Sequence, residues 1–95
     1  MDKQTFKENA KKSIDDIFAK INELEAKKDN VKEKVKGDYN EIIADLKSKQ
    51  DVLQTNYKEL KNATEDKWEE AKDAFSSALE SFKEGFVKIT SFLRN

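Results

Sequence analysis

Three residue types are missing from this sequence of 95 residues: it has no cysteine, no histidine and no proline. Without cysteine, the chain cannot form disulfides, thiol nucleophiles or zinc knuckles. Without histidine, it lacks the side chain that most often serves as general base and metal ligand. The two glycines, Gly37 and Gly85, stand far apart, which excludes a glycine-rich phosphate loop. We therefore expect no enzyme, no cofactor, no metal and no small-molecule substrate.

An excess of one charge and long apolar runs are missing as well. Lys and Arg number 19, Asp and Glu number 20, and the net charge is −1. A domain that binds nucleic acid normally carries a basic surplus, so we expect no nucleic-acid partner. No apolar run exceeds three residues, as in Ile42-Ile43-Ala44, which is far shorter than the ~20 residues of a membrane span. The first residues lack the apolar segment of a secretory signal, and we expect a cytoplasmic protein.

A long stripe of apolar residues at helical spacing is what the sequence does contain. Each position follows the one before by three or four residues: Ala10, Ile14, Ile17, Ile21, Leu24, Lys28, Val31, Val35, Tyr39, Ile42, Leu46, Lys49, Leu53, Tyr57, Leu60, Thr64, Trp68, Ala71, Phe75, Ala78, Phe82, Phe86, Ile89 and Leu93. This spacing is typical of amphipathic α-helices and predicts an all-α protein. Only Lys28, Lys49 and Thr64 interrupt the stripe. Such residues either fix the register of an assembly or extend along the seam to water.

One straight helix would leave the stripe exposed along its whole length, so the chain must fold back, associate, or do both. The best break is Asn62-Ala63-Thr64, because Asn62 can close one helix and Thr64 can cap the next. A second candidate is Gly37 followed by Asp38, since glycine suits the position after a helix C-terminus. The stripe keeps its phase through Gly37, however, which favours a continuous helix there.

We therefore predict a single helical domain over residues 1–95. It has a helix over about 3–61 with a candidate break at 36–38, a joint at about 62–66, and a helix over about 66–93. The fold is then an antiparallel helical hairpin or, with the extra break, a three-helix bundle. In either case we expect it to associate as a coiled-coil-like bundle.

Residues 61–86, KNATEDKWEEAKDAFSSALESFKEGF, resemble a group of small bacterial proteins described as stress-response or coiled-coil domain-containing proteins. In that group a long charged helix leads through a short joint to a Trp-Glu-Glu segment. Apolar residues follow at fixed distances, which here are Phe75, Ala78, Leu79, Phe82 and Phe86. A looser similarity extends back to about Val31, and Thr64 stands where the group usually has glycine. The resemblance implies a bacterial, cytoplasmic, stress-associated helical protein without known activity or catalytic residues.

The expected function is that of a non-enzymatic structural or interaction protein of the bacterial stress response. It would act as a homodimer or higher homo-oligomer, because one two-fold interface could cover the stripes of both copies. The expected interaction and packing anchors are Trp68, Phe75, Leu79, Phe82, Phe86, Leu46, Leu53 and Leu60.

The alternative function is reversible binding to a membrane surface by an apolipoprotein-like amphipathic helix. It is motivated by the aromatic-rich C-terminal third of the chain. Against it, residues 67–95 contain five bases and five acids, whereas surface-binding helices usually have a basic polar face. A chaperone-like role is a third reading, and it would require exposed apolar surface in the resting state.

Overall fold

The computed structural model describes residues 2–91 and confirms the predicted all-α class. Three α-helices and two 3₁₀ turns follow one another along the chain: α1 (Lys3–Ala26), a turn at Lys28–Asn30, α2 (Glu33–Asn62), a turn at Glu65–Lys67, and α3 (Trp68–Thr90). No strand is present among these residues. Helix α3 begins at Trp68, two residues after the predicted start at about 66, and the predicted end at about 93 lies outside the described residues.

The three helices form an elongated bundle that measures 50 × 17 × 16 Å. The 30 residues of α2 rise by roughly 45 Å, so this helix spans nearly the full length of the bundle. Phe6, near the start of α1, contacts Trp68 at the start of α3, with ring centroids 5.9 Å apart. Helices α1 and α3 therefore run parallel to each other and antiparallel to α2. The architecture is the three-helix bundle of the two folds considered from the sequence.

The first joint lies at residues 27–32, and the predictions of an unbroken helix over 3–61 and of a break at 36–38 both miss it. Asp29 and Asn30 occupy this joint, and their short polar side chains compete with helical hydrogen bonding. The next residue, Val31, has an extended backbone, with φ −83° and ψ 141°, and its side chain is buried. The chain reverses direction at Val31, and α2 then runs back along α1.

A buried tyrosine holds the end of α1 against α2. The Tyr39 hydroxyl donates a hydrogen bond of 2.7 Å to the backbone carbonyl of Leu24 in the last turn of α1. Terminal carbonyls of a helix lack partners within the helix, so this bond stabilises its end. Burial raises the pKa of the Tyr39 phenol. Gly37, two residues before Tyr39, is exposed inside α2 with nothing within 4 Å of a Cβ built on it, and the helix continues through it.

The second joint coincides with the position expected from the sequence. Helix α2 ends at Asn62, Ala63 and Thr64 have extended backbones, and a 3₁₀ turn leads into α3. Thr64, however, makes no side-chain capping hydrogen bond, contrary to the role expected of it. The first turn after it contains Glu65 and Asp66, whose negative charges suit the start of a helix.

The apolar stripe is folded back on itself to form one core. The buried apolar residues of this core come from all three helices and the first joint, and all but Ile43 lie on the predicted stripe: Ala10, Ile14, Ile17, Ile21, Leu24, Val31, Tyr39, Ile43, Leu46, Leu53, Leu60, Trp68, Ala71, Phe75, Phe82 and Ile89. Two of the three polar interruptions, Lys28 and Thr64, are exposed and lie in the two joints. The third, Lys49, stays inside α2, where its ammonium extends to Asp45 at 3.0 Å. Of the two alternatives, Lys49 therefore follows the second: it extends along the seam and is not buried in a position that sets the register.

Candidate interaction surface

The seam between α2 and α3 is closed around Gly85, whereas a hollow of about 450 Å³ lies where the two helices meet the second joint, between Asn62 and Ala74. Gly85 of α3 is buried against α2, and a Cβ built on it would come within 2.9 Å of Leu46 Cδ2. Leu46 itself is fully buried. Further along the seam, the Asn56 side-chain amide donates a hydrogen bond of 3.4 Å to the carbonyl of Ala74. Close packing of this kind leaves no room for a ligand between these two helices at Gly85.

The seam between α1 and α3 is open by comparison. Helix α2 packs closely against both α1 and α3, whereas the backbones of α1 and α3 remain apart along most of their length. A furrow with a volume of about 380 Å³ lies between them. We call this the α1–α3 furrow; its lining comprises Ser13, Asp16, Ile17, Lys20, Leu79, Phe82, Lys83, Phe86 and Val87.

The floor of the α1–α3 furrow is aromatic and its rim is polar. The rings of Phe82 and Phe86 stack with centroids 6.3 Å apart and an interplanar angle of 22°. The Lys20 ammonium lies 5.1 Å from the centroid of the Phe86 ring, a cation–π distance. Val87 is 67% exposed at the edge. The furrow thus offers apolar contact area beside a cation that lies over one of its aromatic rings.

A smaller hollow continues the furrow toward the start of the helices. It has a volume of about 140 Å³ and shares Ser13 and Leu79 with the furrow. Phe6 and Phe75 contribute apolar surface to it, and their ring centroids are 6.4 Å apart. A small exposed residue in its lining, Ser76, allows a close approach by another chain. Together the two hollows follow the same seam over about four turns of α1.

The residues predicted as anchors fall into two groups. Six are buried in the core: Trp68, Phe75, Phe82, Leu46, Leu53 and Leu60. Leu79 and Phe86 are partly buried and line the α1–α3 furrow, together with Phe82. The three leucines of α2 pack inside the bundle, where an outside partner cannot contact them without opening it. Whether any anchor contacts a partner stays a prediction.

A cluster around Trp68 closes one end of the bundle. Phe6 meets the Trp68 ring edge-on at an interplanar angle of 81°. The ammonium groups of Lys3 and Lys7 lie 5.6 Å and 5.8 Å from the centroid of the Trp68 ring. Lys3 also forms an ion pair with Glu65 of the second joint. Sequence reasoning missed Phe6, although its spacing of four residues before Ala10 would have placed it on the stripe.

The titratable groups do not converge on a reactive centre in the part of the chain that the structure describes. The amide of Thr5 donates a hydrogen bond of 2.7 Å to the Asp2 carboxylate and lowers the pKa of that carboxyl. This interaction caps α1, as the buried Tyr39 hydroxyl secures its other end. Among residues 2–91, no group of three or more acidic side chains is placed to hold a metal ion. The same residues include no helix of the length and apolarity needed to cross a membrane.

Comparisons with family models, curated proteins and solved structures gave no match. The likeness of residues 61–86 to small bacterial stress-response proteins therefore stays a prediction.

Proposed function

We propose that this chain is a non-enzymatic helical interaction protein whose contact surface is the α1–α3 furrow. One observation carries the proposal: α2 holds α1 and α3 apart, so Leu79 and Phe86 are only partly covered. Exposed apolar surface that is contiguous and rimmed by polar groups marks interaction sites more often than scattered apolar residues do. Val87 extends this surface to the edge of the furrow.

The furrow suits an amphipathic helix as its occupant. It runs between two parallel helices, and a fourth helix placed there would complete a four-helix bundle. The apolar side chains along α3 follow helical spacing, from Phe75 through Leu79 and Phe82 to Phe86. Helices that bind in grooves place their own apolar residues between such anchors.

The partner in this proposal is either another protein or a second copy of the chain. An uncovered stripe was our reason to expect a homodimer, and the bundle covers most of that stripe within one chain. If the chain self-associates, we propose that it does so through the α1–α3 furrow and not through the whole stripe. Participation in a bacterial stress response, and a cytoplasmic location, are supported by the resemblance of residues 61–86 alone.

Reversible binding to a lipid surface is a second candidate, and the open seam favours it. The apolar side chains of α3 that could enter a bilayer, Phe75, Phe82 and Ile89, face the core. Lipid binding therefore requires the bundle to open, and the α1–α3 seam has the least packing to lose. Co-sedimentation with anionic and with neutral vesicles tests this candidate, and no binding to either refutes it.

The two exposed valines provide a matched test of the furrow. Val87 lies in the furrow and Val52 lies outside it on α2, with exposures of 67% and 52%. We would titrate isotopically labelled protein with a helical peptide of leucines at heptad spacing and equal numbers of Glu and Lys. Molar mass by light scattering over a concentration series would run alongside.

The proposal predicts amide shifts around residues 13–20 and 79–87. These shifts, and any concentration-dependent mass, should be lost in Val87→Glu and retained in Val52→Glu. A mass that stays at the 11.0 kDa of one chain, together with no shifts along the furrow, refutes it. Equal loss in both variants would also refute it, because the interaction would then not depend on the furrow.

A further inference from the structure

A second groove lies between α1 and α2, and it differs from the α1–α3 furrow in charge. It consists of two adjoining hollows of about 370 Å³ each, which share Lys11, Tyr57 and Lys61. We call it the α1–α2 basic groove and define it by six side chains: Lys7, Lys11, Lys58, Lys61, Phe18 and Tyr57. It shares no lining residue with the furrow.

The groove has an excess of positive charge in a chain whose net charge is −1. Its four lysines face two carboxylates, those of Glu8 and Asp15. Asp15 lies 3.4 Å from the Lys11 ammonium, and both side chains are 62% exposed, so solvent screens this pair. Among residues 2–91, no carboxylate pairs with Lys58. The groove therefore attracts an anionic partner.

Two of the lysines are held in place by the end of α2. The Lys7 ammonium donates a hydrogen bond of 3.4 Å to the backbone carbonyl of Lys61 in the last turn of α2. The Lys61 ammonium lies 5.3 Å from the centroid of the Tyr57 ring. The C-terminal end of a helix carries partial negative charge, which favours cations there. The ammonium groups of Lys7 and Lys61 are consequently held in position in the absence of a ligand.

Apolar side chains run along the groove between the lysines. Phe18 is 39% exposed, which is unusual for a phenylalanine, and Tyr57 is half-buried beside it. The groove extends along α1 from Gln4 to Phe18, a rise of roughly 21 Å or four helical turns. Its apolar strip flanked by ammonium groups complements a segment whose apolar residues are flanked by carboxylates. A groove of this length matches about four turns of a partner helix.

We propose that the α1–α2 basic groove binds an acidic amphipathic helix of a partner protein. Carboxylates of that helix pair with Lys7, Lys11, Lys58 and Lys61, and its apolar residues contact Phe18 and Tyr57. Apolar contacts supply the anchor in this mode of recognition, and charge complementarity selects the partner and its orientation. The inference goes beyond the function proposed for the α1–α3 furrow and does not depend on it.

The test uses a synthetic helical peptide with leucines at heptad spacing and glutamates at most other positions. A second peptide carries lysines in place of the glutamates. Amide shifts of the labelled protein report the site of binding. The first variant removes two cations from the groove by the double substitution Lys11→Glu/Lys58→Glu. Lys28→Glu/Lys34→Glu makes the same change in net charge at exposed positions remote from the groove and serves as its control.

The acidic peptide should shift amides around residues 4–18 and 54–61 and should bind Lys11→Glu/Lys58→Glu about tenfold more weakly, because two ion pairs are lost. The control variant should bind it within about twofold of wild type, and the lysine peptide should not shift the amides of the groove. Equal weakening in both variants would overturn the proposal in favour of nonspecific attraction. Shifts confined to the α1–α3 furrow would overturn it while supporting the furrow. Binding to anionic vesicles alone, with no peptide shifts, would overturn it in favour of a lipid surface.

Discussion

The two glycines both lie inside helices with no positive φ, yet alanine at these positions should have opposite effects on stability. At Gly37 a Cβ meets nothing within 4 Å. Alanine is more favourable than glycine in a helix interior by about 0.8–1 kcal/mol. Gly37→Ala should therefore raise the free energy of unfolding by about 1 kcal/mol. In a domain of this size, that corresponds to a rise in Tm of about 4–8 °C.

At Gly85 the same gain in helix propensity meets a steric cost. The new Cβ would lie 2.9 Å from Leu46 Cδ2, and Leu46 has no exposed surface through which to move away. Overpacking of a core costs about 1–3 kcal/mol, which exceeds the gain of about 1 kcal/mol. The Lys49 ammonium, at 3.3 Å, is the flexible end of a long side chain and can shift at little cost. We expect Gly85→Ala to lower the free energy of unfolding by about 1 kcal/mol.

Urea and thermal denaturation followed by circular dichroism would measure both variants beside wild type at one protein concentration. The predicted difference between the two variants, about 2 kcal/mol, is well above the error of such measurements. If Gly85→Ala stabilises as much as Gly37→Ala, α2 and α3 do not approach closely at this point. If Gly37→Ala fails to stabilise, α2 is not continuous through residues 36–38 and the first joint has been misplaced.

Four further substitutions test individual side chains by the same denaturation assay. Tyr39→Phe removes the hydrogen bond to Leu24 and should cost about 1 kcal/mol. Because burial raises the Tyr39 pKa above 10.0, wild type should lose stability as the pH rises above 10.0, and Tyr39→Phe should lack that loss. Phe82→Ala should cost about 3–5 kcal/mol, whereas Val87→Ala, at an exposed site, should stay within about 0.5 kcal/mol of wild type. Asp2→Ala should lower Tm at neutral pH and by less near pH 2, since hydrogen bonding from Thr5 lowers the pKa of the capping carboxylate below 3.8 and the cap weakens in wild type as falling pH protonates it. Equal Tm differences at both pH values would show that Asp2 does not act through its charge.

The spacing of apolar residues was enough to predict the helical class and most of the core. The spacing shows which face of each helix is buried, and that face is the same whichever helices pack against it. The second joint was also predictable, because Asn62 and Thr64 are residues that commonly flank helices. The first joint was not predicted, because glycine disfavours a helix more strongly than Asp29 or Asn30 does, yet Gly37 lies inside α2. An exposed glycine costs a helix only about 1 kcal/mol, which packing on both sides easily overcomes.

Two of the three polar residues that interrupt the stripe mark the positions of the joints. Lys28 and Thr64 are exposed in the two joints, where the chain leaves the core and needs no apolar side chain. Lys49 has a different origin, because it lies inside α2 opposite Gly85 and extends its stem over the glycine to Asp45. A polar residue on an apolar stripe can therefore mark either a turn of the chain or a small residue on the facing helix. The sequence alone does not distinguish these cases, since the facing residue is known only from the fold.

The α1–α3 furrow could not be predicted for a related reason. All three helices have one apolar stripe, and the pattern does not show which pair of helices lies farther apart. That choice depends on side-chain size at the contacts. Gly85 faces Leu46 and brings α3 close to α2, while α1 and α3 meet through larger side chains such as Phe6 and Phe86. A larger residue at Gly85 would move α3 away from α2 and thereby alter the furrow. Binding in the furrow should consequently be sensitive to a buried position that no ligand there can contact.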